Sequence, residues 1–99
     1  MVVVGFEVMK EYLPIGSVVL LKKSDKTLMV YGRRQVHLKS GIEFDYIGCL
    51  YPEGYITDEL SFFFNHSDIS KTLFKGFETE MDQVFQKEYL EAEVDSAFE

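Results

Sequence analysis

The amino-acid sequence predicts a single α+β domain, in which a small bent antiparallel sheet, SH3-like or barrel-like, precedes a C-terminal amphipathic helix. Two patterns carry this prediction. Short apolar and β-branched runs are separated by glycines at positions 16, 32, 48 and 54, and a stripe of apolar residues at helical spacing follows residue 79. The 99 residues are 46% hydrophobic with one cysteine, so one core can form without a disulfide.

The first half of the sheet comes from three runs that contain the β-formers Val, Leu, Ile and Tyr. We expect strands near residues 17–23, 27–33 and 44–50, paired in one antiparallel sheet. Gly32 and Gly48 predict bends within these strands, since glycine in a strand marks a bulge or a close backbone approach. The polar residues 33–41 predict an exposed connection, and Pro52 with Gly54 predicts a turn over residues 51–55.

The last third of the chain predicts shorter elements. Residues 61–64 form a strand or a buried segment, Asn65 or Ser67 can cap a helical turn, and residues 73–77 alternate as an edge strand. Thr79 stands at an N-cap position before a helix over about residues 80–92. We expect that helix to dock through Met81, Val84, Phe85 and Tyr89. Residues 6–13 also show helical spacing.

The formal charge of −7 is concentrated at the C-terminal end, where residues 78–99 hold eight acidic residues and one lysine. Two interpretations stay open. The segment is a solvated helix and tail that keep the protein soluble, or it is an acidic arm that meets a basic partner or the chain's own Lys/Arg cluster. We expect one domain over residues 1–99, with a core at about 13–92 and a frayed acidic end at 93–99.

Several classes of protein are excluded by composition. The longest apolar run, Val18–Leu21, is far shorter than the roughly 18–20 residues that cross a membrane. The first residues lack the basic region and long apolar stretch of a secretory signal. We therefore expect a cytoplasmic protein that makes no membrane contact.

Residues that could carry catalysis or bind a metal are few and dispersed. His37, Cys49 and His66 fall on three separate segments, which does not suit a metal site. Cys49 lies within a predicted strand and is expected to be a small buried hydrophobe. The neighbouring carboxylates of Asp58 and Glu59 point in different directions on any regular element, so they do not predict an acid–base pair. We expect no catalytic residue, no cofactor and no metal.

A set of segments forms a recognisable pattern: LPIGSVVLLK at residues 13–22, LMVYGR at 28–33, FDYIGCLYPEGY at 44–55, FFNH at 63–66 and FKGF at 74–77. Together they resemble a family of small proteins of unknown function in Gram-positive bacteria. Its members are encoded with type VII secretion systems and their toxin substrates. The resemblance implies a cytoplasmic accessory role as a chaperone, targeting factor or immunity-type partner, and it supplies no catalytic residues.

The excess of aromatic residues between positions 46 and 77 indicates a binding surface. Three consecutive phenylalanines cannot face one way on a strand, so either Phe63 or its two neighbours face outward unless that face is covered. The alternative is that all the aromatic side chains pack inside. We expect a protein partner, a secreted toxin or a secretion component, to bind through five residues: Tyr51, Tyr55, Phe63, Arg33 and Arg34.

A second function stays open, that of a small SH3-like nucleic-acid-binding module. Three lysines at positions 22, 23 and 26 and the pair Arg33–Arg34 make the first half of the chain locally basic, and an exposed Tyr31 could stack on a base. The net charge of −7 opposes this, because the acidic end repels phosphates. The sequence therefore favours a non-catalytic protein-binding role.

Overall fold

The computed structural model describes residues 11–91. Residues 13–77 form one compact unit, and the described parts of a second unit are residues 11–12 and 78–91. The elements are β1 (Val18–Leu21), β2 (Thr27–His37), β3 (Ile42–Leu50), β4 (Ser61–Phe64), β5 (Ile69–Phe74) and α1 (Glu80–Phe85). Residues 6–10 of the predicted N-terminal helical turns and the predicted frayed end at 93–99 lie outside the described residues.

The five strands form one antiparallel sheet in the order β4-β3-β2-β1-β5. The predicted α+β class and the antiparallel pairing of the first three strands are confirmed. The segment 33–41, expected to be an exposed connection, is instead largely strand. β2 continues to His37 and β3 begins at Ile42, and Gln35 pairs with Phe44. The backbone pairing of β2 with β3 continues through this segment despite its polar composition, and the two strands form a long hairpin.

The sheet is curved but open. Its two edge strands, β4 and β5, are joined by residues 65–68 alone, three of which form a 3-10 turn. In a flat sheet these edges would lie about 19 Å apart, whereas the link reaches about 15 Å at most. The sheet must therefore curl, as predicted. The likeness to a barrel stops short of closure, because the chain turns after the four residues of β4 and no pairing joins β4 to β5 within residues 11–91.

A bulge at Tyr31 produces the bend predicted at Gly32. Val30 pairs with Gly48 and Gly32 with Ile47, so one residue of β2 has no partner on β3. The bulge reverses which residues point inward: Leu28 and Val30 are buried before it, and Arg33 is buried after it. A Cβ atom on Gly32 would lie 2.7 Å from Cγ2 of Ile47, so the close approach of β3 requires glycine here.

The core of this unit centres on two aromatic rings. Tyr46 and Phe64 are 0% and 1% exposed, and their rings stack with centroids 5.4 Å apart. Gly48 gives the Phe64 ring its space, because a Cβ atom at Gly48 would lie 3.2 Å from Cε1 of Phe64. The same atom would lie 2.9 Å from the carbonyl oxygen of Met29 on β2. A residue larger than glycine at position 48 would therefore collide with both the backbone of β2 and the Phe64 ring.

The segment before β1 is joined to the segment after β5 through Ser17, which is fully buried. Its hydroxyl donates to the carbonyl oxygen of Pro14 at 2.7 Å and accepts from the N–H of Gly76 at 2.9 Å. A Cβ atom on Gly76 would lie 2.4 Å from the carbonyl oxygen of Ile15, so the two backbones are in direct contact. These contacts fix the ends of the sheet unit to each other.

The predicted helix begins where expected. Oγ1 of Thr79 accepts from the N–H of Asp82 at 3.0 Å, which is an N-cap. After the six residues of α1 the chain continues as a π-helical segment, Gln86–Glu91.

The predicted docking face of this helix is wrong. Its side chains are largely exposed, at 76%, 51%, 43% and 57% for Met81, Val84, Phe85 and Tyr89, whereas Gln86 and Leu90 are buried. The amide of Gln86 accounts for the difference. It accepts from the N–H of Tyr12 at 3.0 Å and donates to the carbonyl oxygen of the same residue at 3.3 Å, which turns this side of the helix inward.

Candidate functional site

A groove of about 530 Å³ lies between the end of the β2–β3 hairpin and the start of β4. The hairpin contributes one wall through residues 36–39, and the other wall consists of Asp58, Glu59 and Ser61. Ile47 and Phe63 complete the lining. The volume falls within the roughly 300–1,000 Å³ that is usual for ligand sites.

Phe63 is the predicted site residue that lies in this groove. It pairs with Ile47 on the face of β4 opposite to the buried Phe64, as the two-residue period of a strand requires. Its half-buried ring meets the ring of His37 edge-on at 5.2 Å and lies 5.5 Å from the ring of Phe44. Of the alternatives that the sequence left open, the structure thus places Phe63 on the accessible face.

Tyr55 stands beside the groove and is 54% exposed. Its hydroxyl donates to Oδ1 of Asp58 at 2.6 Å, and its ring packs edge-on against Tyr31 at 5.7 Å. Tyr31 in turn shares a 2.8 Å hydrogen bond with Oγ of Ser61 on the groove wall. The hydrogen bond to the Asp58 carboxylate raises the pKa of the Tyr55 hydroxyl to about 12, because it stabilises the neutral phenol.

Tyr51 lies on the turn that precedes Tyr55 and is 52% exposed. Its N–H donates to the carbonyl oxygen of Thr27, and the N–H of Gly54 donates to the carbonyl oxygen of Leu50, which closes the predicted turn. Gly54 has a φ of +83°, a conformation that glycine adopts without strain. Tyr51 does not line the groove, so the structure brings Tyr55 and Phe63 to one surface and leaves Tyr51 at its margin.

The two arginines have different environments. Arg33 is 9% exposed, faces the core opposite Tyr46, and donates through Nη1 to the carbonyl oxygen of Leu13 at 3.3 Å. Arg34 is partly buried and forms an ion pair with Glu43, whose side chain is about half exposed. Neither arginine lines the groove. The expectation of an exposed arginine pair fails for Arg33 because the bulge at Tyr31 turns its side chain inward.

A polar cluster around Tyr46 was not predicted as a unit. The Tyr46 hydroxyl accepts from the N–H of Leu13 at 2.8 Å and shares a 3.2 Å hydrogen bond with Nδ1 of His66. Oδ2 of Asp45 accepts from the N–H of His66 at 2.9 Å, and its distance to Nε2 of that residue is 3.7 Å. Asn65, predicted as a cap, accepts from the N–H of Asp45 through Oδ1. The only sign of this cluster in the sequence is that polar residues follow aromatic ones in the segments FDY, at residues 44–46, and FFNH, at residues 63–66.

This cluster has the acid–histidine–hydroxyl order found in nucleophilic catalysis. Tyr46, however, is fully buried and its oxygen already accepts a backbone hydrogen bond from Leu13, so no substrate reaches it. The arrangement joins β3, the link after β4 and the segment before β1.

Other chemistry is sparse in the part of the chain that the structure describes. No group of three or more His, Cys, Asp or Glu side chains between residues 11 and 91 is arranged to hold a metal ion. Cys49 is 1% exposed within β3, which confirms the prediction that it is buried. Over the same residues, none of the helices has the length and apolar content needed to cross a membrane.

Fold and surface together define a small α+β domain with an open five-stranded antiparallel sheet and an aromatic groove at one end of its longest hairpin. Residues 12–85 match the family model of DUF4176, a domain of unknown function, and the chain therefore belongs to this family. The resemblance to a family of unknown function is thereby confirmed. Neither curated proteins nor solved structures yield a match to this chain.

Proposed function

We propose that this protein is a non-catalytic accessory that binds another protein, and that its partner is a type VII secretion component or a toxin substrate of that system. The single observation that carries the binding role is the groove lined by Phe63 with the exposed Tyr55 beside it. The link to type VII secretion, and with it a cytoplasmic site of action, comes from the sequence resemblance alone.

The state of the two aromatic rings supports protein binding. Large rings supply most of the energy of a typical interface, and they lose little conformational entropy when they are already held in place. Tyr55 is held by its contacts with Asp58 and Tyr31, while about half of its surface stays exposed. Such a ring is available to a partner at low entropic cost.

The groove combines apolar and charged walls, as the edge of a protein interface does. Val36 and Leu38 are exposed on the hairpin side, and Asp58 and Glu59 are exposed on the β4 side. These two acids were expected to point apart, but the 3-10 turn Asp58–Leu60 places both on one wall.

The charge distribution disfavours nucleic acid. Of the two arginines in that hypothesis, Arg33 is buried and Arg34 is paired with Glu43. A phosphate that approached the groove would meet the carboxylates of Asp58 and Glu59. Protein binding is therefore the function that the surface supports best.

The test is co-purification from the native host with the full chain carrying an affinity tag, followed by identification of the bound protein. Tyr55→Ala is expected to weaken the captured partner by about ten- to a hundredfold, since a truncated anchor costs roughly 1–3 kcal/mol. Tyr89→Ala is the matched control because Tyr89 is equally exposed, at 57% against 54%, but lies on the π-helical segment. It should stay within about twofold of the wild type.

Two results would contradict the proposal. If Tyr55→Ala bound the partner as tightly as the wild type does, this surface would not be part of the interface. Loss of the bound material on nuclease treatment, without a stoichiometric protein partner, would establish the nucleic-acid alternative in its place.

A further inference from the structure

The groove has an apolar wall that is unusually open to solvent. Leu38, at the tip of the β2–β3 hairpin, is 90% exposed, and its neighbours Val36 and Ile42 are 49% and 53% exposed. A single exposed leucine needs no explanation. Val36 and Leu38 both line the groove together with Phe63, and a patch of this kind marks an interaction site.

The opposite wall carries excess negative charge. The lining contains the carboxylates of Asp58 and Glu59 and the ammonium group of Lys39. Oδ1 of Asp58 accepts a hydrogen bond from the Tyr55 hydroxyl, and this neutral donor leaves the negative charge of Asp58 uncompensated. Among residues 11–91, no lysine or arginine forms an ion pair with Asp58 or Glu59. The wall is therefore complementary to a cation.

One of the strands that line the groove is also an edge strand of the sheet. β4 pairs with β3 on one side and has no strand on the other among the described residues, and both Ser61 and Phe63 of β4 line the groove. Natural edge strands are commonly protected by lysine or proline. β5 carries Lys71, whereas β4 reads Ser-Phe-Phe-Phe and has no such residue. The backbone of β4 is thus suited to receive an extended chain.

We infer that the groove binds an extended segment of the partner protein in which a large apolar side chain lies next to a lysine or arginine. The apolar side chain packs against Phe63, Ile47 and Leu38, and the basic side chain pairs with Asp58 and Glu59. This inference rests on the proposed protein-binding function and specifies the chemistry of the partner.

The test begins with selection of a random peptide library on the full-length protein. One enriched peptide then serves as the probe in fluorescence polarisation. Enriched sequences are expected to combine an aromatic or large aliphatic residue with Lys or Arg. Glu59→Lys should weaken the probe by about tenfold, since it replaces an attraction by a repulsion. Leu38→Ser should weaken it by about fivefold through lost apolar contact.

The matched control is Glu53→Lys, which makes the same charge change at an exposed acid outside the groove. It should leave the affinity within about twofold. Selection repeated on Glu59→Lys should enrich acidic peptides in place of basic ones. All three positions are exposed, so thermal melts are expected to match the wild type.

Backbone amide NMR of the wild type with the probe locates the site, with shifts expected at residues 36–39 and 58–63. The inference would be overturned if the enriched peptides lacked a basic residue or if no peptide were enriched. It would equally be overturned if Glu59→Lys left the affinity unchanged or if the shifts were confined to residues 80–90. If any of these occurs while Tyr55→Ala still weakens binding of the co-purified partner, the proposed protein-binding function is retained and the partner chemistry inferred here is rejected.

Discussion

Replacement of Ser17 by alanine tests the contact that joins the two ends of the sheet unit. The change removes a hydroxyl that is fully buried and that takes part in two hydrogen bonds, at 2.7 Å to the carbonyl oxygen of Pro14 and at 2.9 Å from the N–H of Gly76. Alanine fits the site sterically, because it only deletes an atom. The effect therefore reports on hydrogen bonding and not on packing strain.

The two bonded groups respond differently to the loss. The carbonyl oxygen of Pro14 also accepts from the N–H of Ser17 at 3.1 Å and keeps that partner. The N–H of Gly76 is left buried without its acceptor, which costs about 1–3 kcal/mol. We expect the free energy of unfolding to fall by about 2 kcal/mol, which lowers Tm by about 8–16 °C in a domain of this size.

The assay is calorimetric and circular-dichroism melting of Ser17→Ala beside Ser70→Ala. Ser70 is a matched control, since its hydroxyl also donates to a backbone carbonyl, that of Leu20 at 3.1 Å, but in an exposed position. Its loss should cost less than about 0.5 kcal/mol because water replaces the bond. Equal stability of the two variants would refute the role given to Ser17.

Two further predictions concern charge. Arg33→Ala should lower the free energy of unfolding by about 2 kcal/mol, through its lost bond to the carbonyl oxygen of Leu13 and lost packing. Arg34→Ala should cost less, about 1 kcal/mol, because its ion-pair partner Glu43 is about half exposed; urea denaturation compares the two, and a larger loss for Arg34→Ala than for Arg33→Ala would contradict the buried position of Arg33. Because the pKa of Tyr55 is raised to about 12, its contribution to stability is present below about pH 10 and is lost as the pH rises through 12. Ring ¹³C NMR should show this titration, and Asp58→Asn should move it back toward about 10; an unmoved titration would mean that Asp58 is not its cause.

Local patterns in the sequence predicted the local elements. The runs around residues 18–21, 28–31 and 44–50 pair as expected, and Thr79 caps the helix through a side-chain bond that needs only its neighbours. The direction in which Arg33 points was not predictable in the same way. One bulged residue at Tyr31 reverses the alternation of the strand, and the sequence marks the bend at Gly32 without showing that it changes the buried face.

Contacts between distant segments account for the remaining differences. The bond between Ser17 and Gly76 joins residues 59 positions apart, and the Gln86 amide reaches Tyr12 across 74 positions. No periodicity contains such information. The helix face was wrong for this reason, because the apolar stripe of Met81, Val84, Phe85 and Tyr89 gives no sign of the long-range bond that Gln86 makes.

The candidate site was predictable in its anchors but not in its shape. Strand alternation marked Phe63 as one of two possible outward residues, and the turn at residues 51–55 placed Tyr55 near the surface. The groove itself depends on the hairpin end at residues 36–39 lying opposite Asp58 and Glu59. That juxtaposition depends on the curl of the sheet, which was predicted, and on the 3-10 turn Asp58–Leu60, which the sequence pattern did not reveal.

Hydrogen–deuterium exchange on the purified complex of this protein with its co-purified partner tests most directly whether the groove is the protein-binding surface. Compared with the free protein, amide exchange is expected to slow at residues 36–39 and 55–63 and to stay unchanged at residues 80–90. Protection confined to residues 69–90, or no change at the hairpin end and β4, would contradict the assignment of this groove.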